Sequence, residues 1–233
     1  HEMLGKTEAE TTEHIGAAWQ QITHGDKAKE RIYYEAPDET AYIADIGSGD
    51  VRSEGMSYGM MIAVQLDRQE EFDRLWKWAC IHMRHADGPR RGYFAWQCAF
   101  DGRQIDPGSA SDGEQWMTMA LLFAAHRWET NRNQYADAAQ ELLHEMRLKT
   151  ATNEVTPIFD AAHGQVVFVP NPQGNQLTDP SYHLPAFYEL WARWDRDPGG
   201  RAFWAACAAG SRAFFRRAAH PDTGLMPEYA NFD

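Results

Sequence analysis

A charged, glycine-containing loop runs directly into an apolar segment at Asp50-Val51-Arg52-Ser53-Glu54-Gly55-Met56-Ser57-Tyr58-Gly59-Met60-Met61-Ile62-Ala63-Val64. Ser53 is a suitable N-cap, and Glu54 suits a first helical turn, where the partial positive charge of the N-terminus favours carboxylates. The helix that follows is apolar on nearly every side, so it must be buried. Gly55 and Gly59 would let a ligand approach the backbone closely. Glu54 is therefore either a functional acid at the mouth of a buried scaffold or simply a favourable first-turn residue.

The composition limits the classes of function. The chain has 233 residues, a net charge of −12 and 43% hydrophobic residues, which is typical of a globular protein with a sizeable core. The negative charge argues against binding to nucleic acid or to anionic membranes. No apolar run reaches membrane-spanning length. The three cysteines form no paired pattern, which favours a reducing compartment, so we expect a cytoplasmic protein.

Hydrophobic periodicity predicts a first amphipathic helix over residues 9–22 and then three pairs of helices. In each pair a helix that is apolar nearly all round is followed by one with a single apolar stripe. The buried members are predicted at residues 54–66, 116–125 and 182–194, and the unit repeats about every 55–70 residues. Alternating buried and half-buried helices indicate an α/α toroid of two concentric rings. The linkers at 92–102 and 166–170 have β-hairpin character.

The predicted starts of the buried helices resemble one another. They read Ser53-Glu54-Gly55, Ser111-Asp112-Gly113 and Thr178-Asp179-Pro180-Ser181-Tyr182. In a ring, these acids would lie on one rim and face one cleft. A hydroxyl residue followed by an acid is also an ordinary helix start, and we favour that interpretation for Asp179. For Glu54 and Asp112 the following glycine and the nearby aromatic residues favour a functional role.

Two neighbouring carboxyl groups can divide acid chemistry between them. Repulsion and desolvation raise one pKa and give a proton donor, while the other group stays ionised. The helix N-terminus opposes this by favouring the charged form. A donor Glu54 therefore requires burial or a like-charged neighbour, and we expect Asp112 to be that neighbour.

Aromatic residues near the rim would suit a carbohydrate cleft, because the faces of sugar rings stack on flat side chains. The candidates are Tyr34, Tyr58, Trp96, Trp116, Tyr182 and Tyr188. We expect Trp116 and Tyr188, which lie within helical runs, to belong to the core. For Trp96 and Tyr182 both interpretations stay open. His82 and His85 fit a helix end better than a metal site. No phosphate loop, dinucleotide motif or serine-nucleophile elbow occurs.

Several motifs carry a resemblance to glycoside hydrolase family 8. The segment from Val51 to Met60 resembles the family's acid-bearing motif, and Ser111-Asp112-Gly113-Glu114 resembles its second signature, which usually reads Asp-Gly-Asp. Three further segments are most similar to the family's reducing-end xylose-releasing exo-oligoxylanases: Gly92-Tyr93-Phe94-Ala95-Trp96, Asp179-Pro180-Ser181-Tyr182-His183-Leu184-Pro185 and Thr223-Gly224-Leu225-Met226-Pro227-Glu228-Tyr229. The resemblance implies an all-α (α/α)6 barrel and hydrolysis of xylo-oligosaccharides with inversion, without a metal or other cofactor.

The resemblance also assigns roles to residues. It implies that Glu54 is the general acid and that Asp112 positions the sugar and tunes the pKa of the donor. Trp96 and Tyr182 match aromatic positions near the sugar, and Arg52 and Tyr58 of the first motif are expected to bind substrate. The family's general base is an Asp in a later segment, beyond residue 233. We count about seven helices where the barrel needs twelve.

These considerations predict that residues 1–233 form a single catalytic domain that lacks its C-terminal part, roughly the N-terminal half to two-thirds of the barrel. A complementary chain from the same enzyme is expected to supply the rest. Two alternatives stay open. One is an endo-acting xylanase or β-glucanase of the same family, and the other is a non-catalytic toroid that binds oligosaccharides or a partner protein.

Overall fold

The architecture was taken from a computed structural model, which describes residues 5–232. Seven α-helices lie in this part of the chain: α1 Glu8–His24, α2 Ser53–Gln65, α3 Gln69–Trp78, α4 Ser111–Arg127, α5 Arg132–Leu148, α6 Pro185–Trp194 and α7 Pro198–Ala218. A π-helical turn, Ala79–Met83, continues α3, and a short 3-10 helix, Pro180–Tyr182, precedes α6. The number of helices agrees with the sequence prediction.

The helices pack in the predicted pairs. Helix α2 packs against both α3 and α4, α4 packs against α5, and α6 packs against α7. Almost all of α4 is buried, whereas α5 buries a single stripe that includes Tyr135, Leu142 and Met146. The alternation of buried and half-buried helices is therefore confirmed for the first two pairs. For the third pair it is wrong, because α6 buries only Tyr188 and Trp191 and is itself half-buried.

Short strands lie in the segments between the helices. A five-stranded antiparallel sheet has the order β1 Tyr33–Ala36, β2 Thr40–Asp45, β3 Asp50–Arg52, β4 Gln97–Cys98 and β5 Gln104–Asp106. A separate hairpin pairs β6 Phe159–Asp160 with β7 Gln165–Val166. Strand β3 leads directly into α2, and its pairing with β4 places Arg52 opposite Gln97. This pairing brings the loop that carries Trp96 to the N-terminus of α2.

Helices α2 and α4 begin at the serines of the predicted helix starts, whereas α6 begins at Pro185, three residues after its predicted start. Ser53 and Ser111 are the first residues of α2 and α4, and the N-cap positions are occupied by Arg52 and Ala110 without a side-chain hydrogen bond. The predicted capping role of Ser53 is therefore wrong, because its hydroxyl donates to Glu54 Oε2 at 3.1 Å instead. Asp179 does cap a helix, since its side chain accepts the Ser181 N–H.

Gly55 and Gly59 contact the protein's own sheet. A Cβ atom on Gly59 would lie 2.6 Å from Ile43 Cγ1 and 3.2 Å from Leu75 Cδ1, whereas one on Gly55 would lie 3.5 Å from Ile43 Cγ2. The glycines therefore allow β2 to approach α2 closely, and the expectation that they admit a ligand stays a prediction.

This difference between the two glycines gives a matched test of packing. Gly59→Ala should destabilise the protein by about 1–3 kcal/mol, because the new methyl group overlaps the branched side chain of Ile43. Gly55→Ala meets only ordinary contact distances and gains helix propensity of about 0.5–1 kcal/mol. Urea unfolding of both variants measures the effect, and equal midpoints would contradict this account of the α2–β2 contact.

Candidate active site

Glu54 lies in the first turn of α2 and is partly buried. Burial is the largest cause of its raised pKa, and it outweighs the lowering by backbone and Ser53 hydrogen bonds and by the charge of Arg52. Ser53, just before it, donates its backbone N–H to the carbonyl of Trp96 at 3.0 Å. Glu54 is thus a fixed carboxyl group with an increased tendency to hold a proton, as a general acid requires.

Asp112 lies in the first turn of α4, beside the start of α2. Gly113 makes this contact possible, because a Cβ atom there would lie 2.5 Å from Ser53 Oγ. The Asp112 side chain is buried, and one of its oxygen atoms, Oδ1, is buried without a hydrogen-bond partner among residues 5–232. Burial, together with the charge of Glu54, raises the pKa of Asp112 to about 7. The two acids are therefore coupled across the contact between the two helix starts.

The two acids share the principal cause of their raised pKa values. Burial is the largest cause for both, and the charge of Glu54 is a further cause of the raised pKa of Asp112. Repulsion between two neighbouring carboxylates acts on both of them. The tuning of Glu54 by Asp112 and the positioning of a sugar by Asp112 both stay predictions.

Glu114 is a third acid at this junction, and the sequence analysis gave it no role. Its side chain has no exposed surface, and Oε1 accepts the backbone N–H of Phe94 at 3.1 Å. Burial, followed by the charges of Asp112 and Glu54, raises its pKa to about 8. The sequence feature that could have indicated a role for Glu114 is its position two residues after Asp112, at the start of a helix that is apolar on nearly every side.

A cavity of about 320 Å³ opens in front of Glu54. Its wall brings together Glu54, Trp96 and Tyr182 from three separate segments, with Asp106 and Asn171 among the polar residues. Tyr182 stacks on Phe168 at 6.0 Å, and Phe168 also lines the cavity. For Trp96 and Tyr182, where core and cleft were both open, the structure places both rings at the cavity. An acid flanked by aromatic rings is a suitable arrangement for binding a sugar.

Arg52 contacts the outer side of Trp96. Its guanidinium group lies 5.3 Å from the centroid of the Trp96 ring and pairs with Asp45 at 3.2 Å and Asp50 at 3.1 Å. Arg52 is therefore held between two carboxylates and a ring, which orients Trp96. Its predicted binding of substrate stays a prediction, and in this structure it is absent from the cavity wall.

The other candidate aromatic residues lie outside the cavity. Tyr58 is 42% exposed, packs edge-on against Trp116 at 5.2 Å, and has its pKa raised to about 12 by burial of the hydroxyl and by the charge of Asp112. Its predicted role in binding substrate is therefore untested. Tyr188 is fully buried and donates to Gln115, which confirms its assignment to the core, and Trp116 packs against that core. Tyr34 stacks on Tyr42 in the sheet.

No group of three or more His, Cys, Asp or Glu side chains within residues 5–232 is placed to hold a metal ion. No helix in the same range is both long and apolar enough to cross a membrane.

Comparisons with known proteins agree with the geometry. The family model described as glycosyl hydrolases family 8 matches residues 43–233. The chain belongs to this family. It is 44% identical over 231 residues to the reducing-end xylose-releasing exo-oligoxylanase Rex8A of Paenibacillus barcinonensis, covering 98% of this chain and 60% of that protein. It is 42% identical over 233 residues to a reducing end xylose-releasing exo-oligoxylanase of Halalkalibacterium halodurans, covering 99% of this chain and 59% of that protein.

The structural comparison extends over the same part of the fold. The structure of Rex8A complexed with xylose matches with a TM-score of 0.90 and 43% identity, over 98% of this chain and 60% of that chain. The seven helices of residues 5–232 correspond to part of the (α/α)6 barrel of the family. The chain spans about 60% of the length of the curated relatives it matches.

The raised pKa values of the junction predict how stability depends on pH. In the folded protein Asp112 and Glu114 keep protons that the unfolded chain releases near pH 4. Their contribution to the free energy of unfolding is therefore lost as the pH rises through about 7 for Asp112 and about 8 for Glu114. Burial lowers the pKa of His183 to about 4, so its contribution to the free energy of unfolding changes with pH in the opposite direction. This change occurs only below the ordinary histidine pKa of 6.5. Between pH 6.5 and 8.5 we therefore expect the free energy of unfolding to fall by on the order of 1–3 kcal/mol.

Urea unfolding at several pH values in this window measures the effect. Glu114→Gln should remove most of the decline above pH 7, because its amide does not ionise. The exposed Glu70→Gln on α3 serves as the control and should follow the unaltered protein. A decline that is equally steep in Glu114→Gln would show that Glu114 does not titrate in this range.

Proposed function

We propose that this chain is the larger part of an inverting glycoside hydrolase that releases xylose from the reducing end of β-1,4-xylo-oligosaccharides. The observation that carries the proposal is the convergence of Glu54, Trp96 and Tyr182 on one cavity. The similarity to the two exo-oligoxylanases over nearly the whole chain supports the choice of substrate. Activity and substrate are proposed for the enzyme of which these residues form a part.

In the proposed reaction the sugar chain lies in the cavity with Trp96 and Tyr182 against its ring faces. Protonated Glu54 donates its proton to the glycosidic oxygen as that bond breaks. A water molecule, activated by a base, attacks the anomeric carbon from the opposite side, so the configuration inverts in one step. Such a reaction needs roughly 6.5–9.5 Å between the two carboxyl groups to accommodate the water.

The base is proposed to come from outside residues 1–233. A base must be ionised at the working pH, and burial holds protons on Asp112 and Glu114, the two acids coupled to Glu54, up to about pH 7 and 8. The relatives are longer than this chain, which leaves room for a further segment. Exposed apolar side chains on α1 and α2, Ile15 at 46%, Tyr58 at 42% and Ile62 at 39%, offer that segment a surface to cover.

A cytoplasmic location is proposed on the basis of the cysteines. Cys80, Cys98 and Cys207 are all free, and Cys98 and Cys207 are buried. Thiols of this kind suit a compartment in which disulfides do not form.

Replacement of the proposed acid tests the mechanism. Glu54→Gln should keep the fold and lower kcat for xylotriose by at least about 10²-fold, the usual contribution of a general acid. The assay uses the polypeptide extended to the length of its relatives, because residues 1–233 alone should be inactive. Glu70→Gln, another acid in a first helical turn but remote from the cavity, should retain full activity. Near-normal turnover in Glu54→Gln would remove Glu54 from the mechanism, and turnover by residues 1–233 would assign the base to Asp106 or Asp112.

The products formed from xylohexaose distinguish the modes of action. An exo-acting enzyme releases xylose and xylopentaose first, and reduction of the substrate's end group before the assay should block it. Early xylobiose and xylotriose would instead indicate endo action. Binding of xylohexaose without hydrolysis would favour the non-catalytic alternative. Proton NMR of the first product tests inversion, because it shows whether the new anomer is α.

A further inference from the structure

Glu114 is the most deeply buried acid of the candidate site, and the proposed reaction does not use it. Its carboxyl group makes one hydrogen bond within residues 5–232, from Phe94 N–H to Oε1 at 3.1 Å. The other oxygen, Oε2, is buried and has no partner in the same range. Enclosing a carboxyl group with one oxygen atom unpaired costs free energy, so its presence calls for an explanation.

The segment that donates this hydrogen bond also carries Trp96, which lines the cavity. Three backbone hydrogen bonds continue from it: Ala95 N–H donates to the Met83 carbonyl at 2.8 Å, Trp96 N–H to that of Gly108 at 2.7 Å, and Ser53 N–H to that of Trp96 at 3.0 Å. Ser53 then donates its hydroxyl to Glu54 at 3.1 Å. A continuous path of short contacts therefore leads from Glu114 through Phe94 and Trp96 to Glu54.

We propose that Glu114 is a positioning residue, whose carboxyl group fixes the segment Phe94–Trp96 and through it sets the place of Trp96 and Glu54. Of the four hydrogen bonds on the path that hold the backbone, this one is made by a side chain, so a substitution can remove it. It comes from α4, so it ties the loop before β4 to the same helix that carries Asp112. The inference rests on the proposed function, because it concerns the residues proposed to bind and protonate the sugar.

The carboxyl group is expected to act as a neutral acceptor. An ionised Glu114 would add a third negative charge beside Asp112 and Glu54, and burial raises its pKa to about 8. A glutamine side chain has the same length and a carbonyl oxygen that can accept from Phe94 N–H. An aspartate is shorter by one methylene group and would withdraw from that N–H. A methionine would fill the space, but its thioether is only a weak acceptor for Phe94 N–H.

The experiment compares Glu114→Gln, Glu114→Asp and Glu114→Met in the polypeptide extended to the length of its relatives. The readouts are kcat and KM for xylotriose, and the fluorescence of Trp96, taken as the difference between each protein and the same protein carrying Trp96→Phe. Thr118→Val is the control. Thr118 is equally buried one turn further along α4, and its hydroxyl donates to the backbone carbonyl of Glu114, so its loss perturbs the helix and leaves the acceptor for Phe94 N–H in place.

The proposal expects Glu114→Gln to keep kcat/KM within about threefold and to keep the Trp96 fluorescence at neutral pH. Glu114→Asp and Glu114→Met should lower kcat/KM at least tenfold, with part of the loss in KM, and should shift the Trp96 fluorescence. Thr118→Val should lower stability while leaving KM and fluorescence unchanged. If Glu114→Met does not fold, Glu114→Asp decides.

Two results would overturn the proposal. One is unchanged Trp96 fluorescence and kcat/KM in Glu114→Asp, which would show that the Phe94 hydrogen bond is dispensable. The other is a loss in Glu114→Gln equal to that in Glu114→Asp, which would show that the group acts through its charge. Failure of the proposed function is distinguishable, because an inactive unaltered protein still gives the fluorescence comparison.

Discussion

The candidate site depends on the close contact between the first turns of α2 and α4 at Ser53 and Gly113. A side chain at position 113 would overlap Ser53 Oγ, so only glycine allows the two helix starts to meet. Ser53 is simultaneously held by the Trp96 carbonyl and bonded to Glu54. One small residue therefore connects two helices and a loop. The three acids at this junction are close together because the backbones are.

The same contact decides the electrostatics. Two helix N-termini point into the junction, and each favours a charged carboxylate by about 0.3–1 kcal/mol, or up to about 2 kcal/mol in partly buried positions. The shift of Asp112 from an ordinary 3.8 to about 7 corresponds to roughly 4 kcal/mol in the opposite direction. The effect of desolvation and mutual repulsion on the pKa of Asp112 is therefore larger than that of the helix dipoles. Because Glu54 is less buried than Asp112 and Glu114, it is the acid of the three that faces the cavity and can exchange its proton.

Much of the helical framework follows from the sequence, because the period of apolar residues reports which faces are enclosed. The paired helices and the candidate acid were predicted in this way. The packing role of Gly59 was missed, because Ile43, which occupies the space beside it, lies on a strand that the apolar periodicity of α2 cannot reveal. Ser53 was misread as a cap for a similar reason, since its partners belong to the distant Trp96 loop and to Glu54. Glu114 was passed over because local pattern does not distinguish a buried acid from an ordinary first-turn acid. The meeting of Trp96 and Tyr182 likewise depends on long-range packing.

Each of the two aromatic residues at the cavity has a buried aromatic or histidine residue close to it in the sequence. Trp96 follows Tyr93, which lies fully buried under the Lys149 ammonium group at 4.5 Å and donates its hydroxyl to the carbonyl of Glu145. Tyr182 precedes His183, whose ring stacks on Phe214 and whose nitrogens contact Thr178 Oγ1 at 2.8 Å and Ser211 Oγ at 2.9 Å. Arg52 contacts the Trp96 ring and Phe168 contacts the Tyr182 ring, and both rings are half-buried. The buried Tyr93 and His183 fix the backbone beside these rings as well, so little ordering is left to occur when a ligand binds.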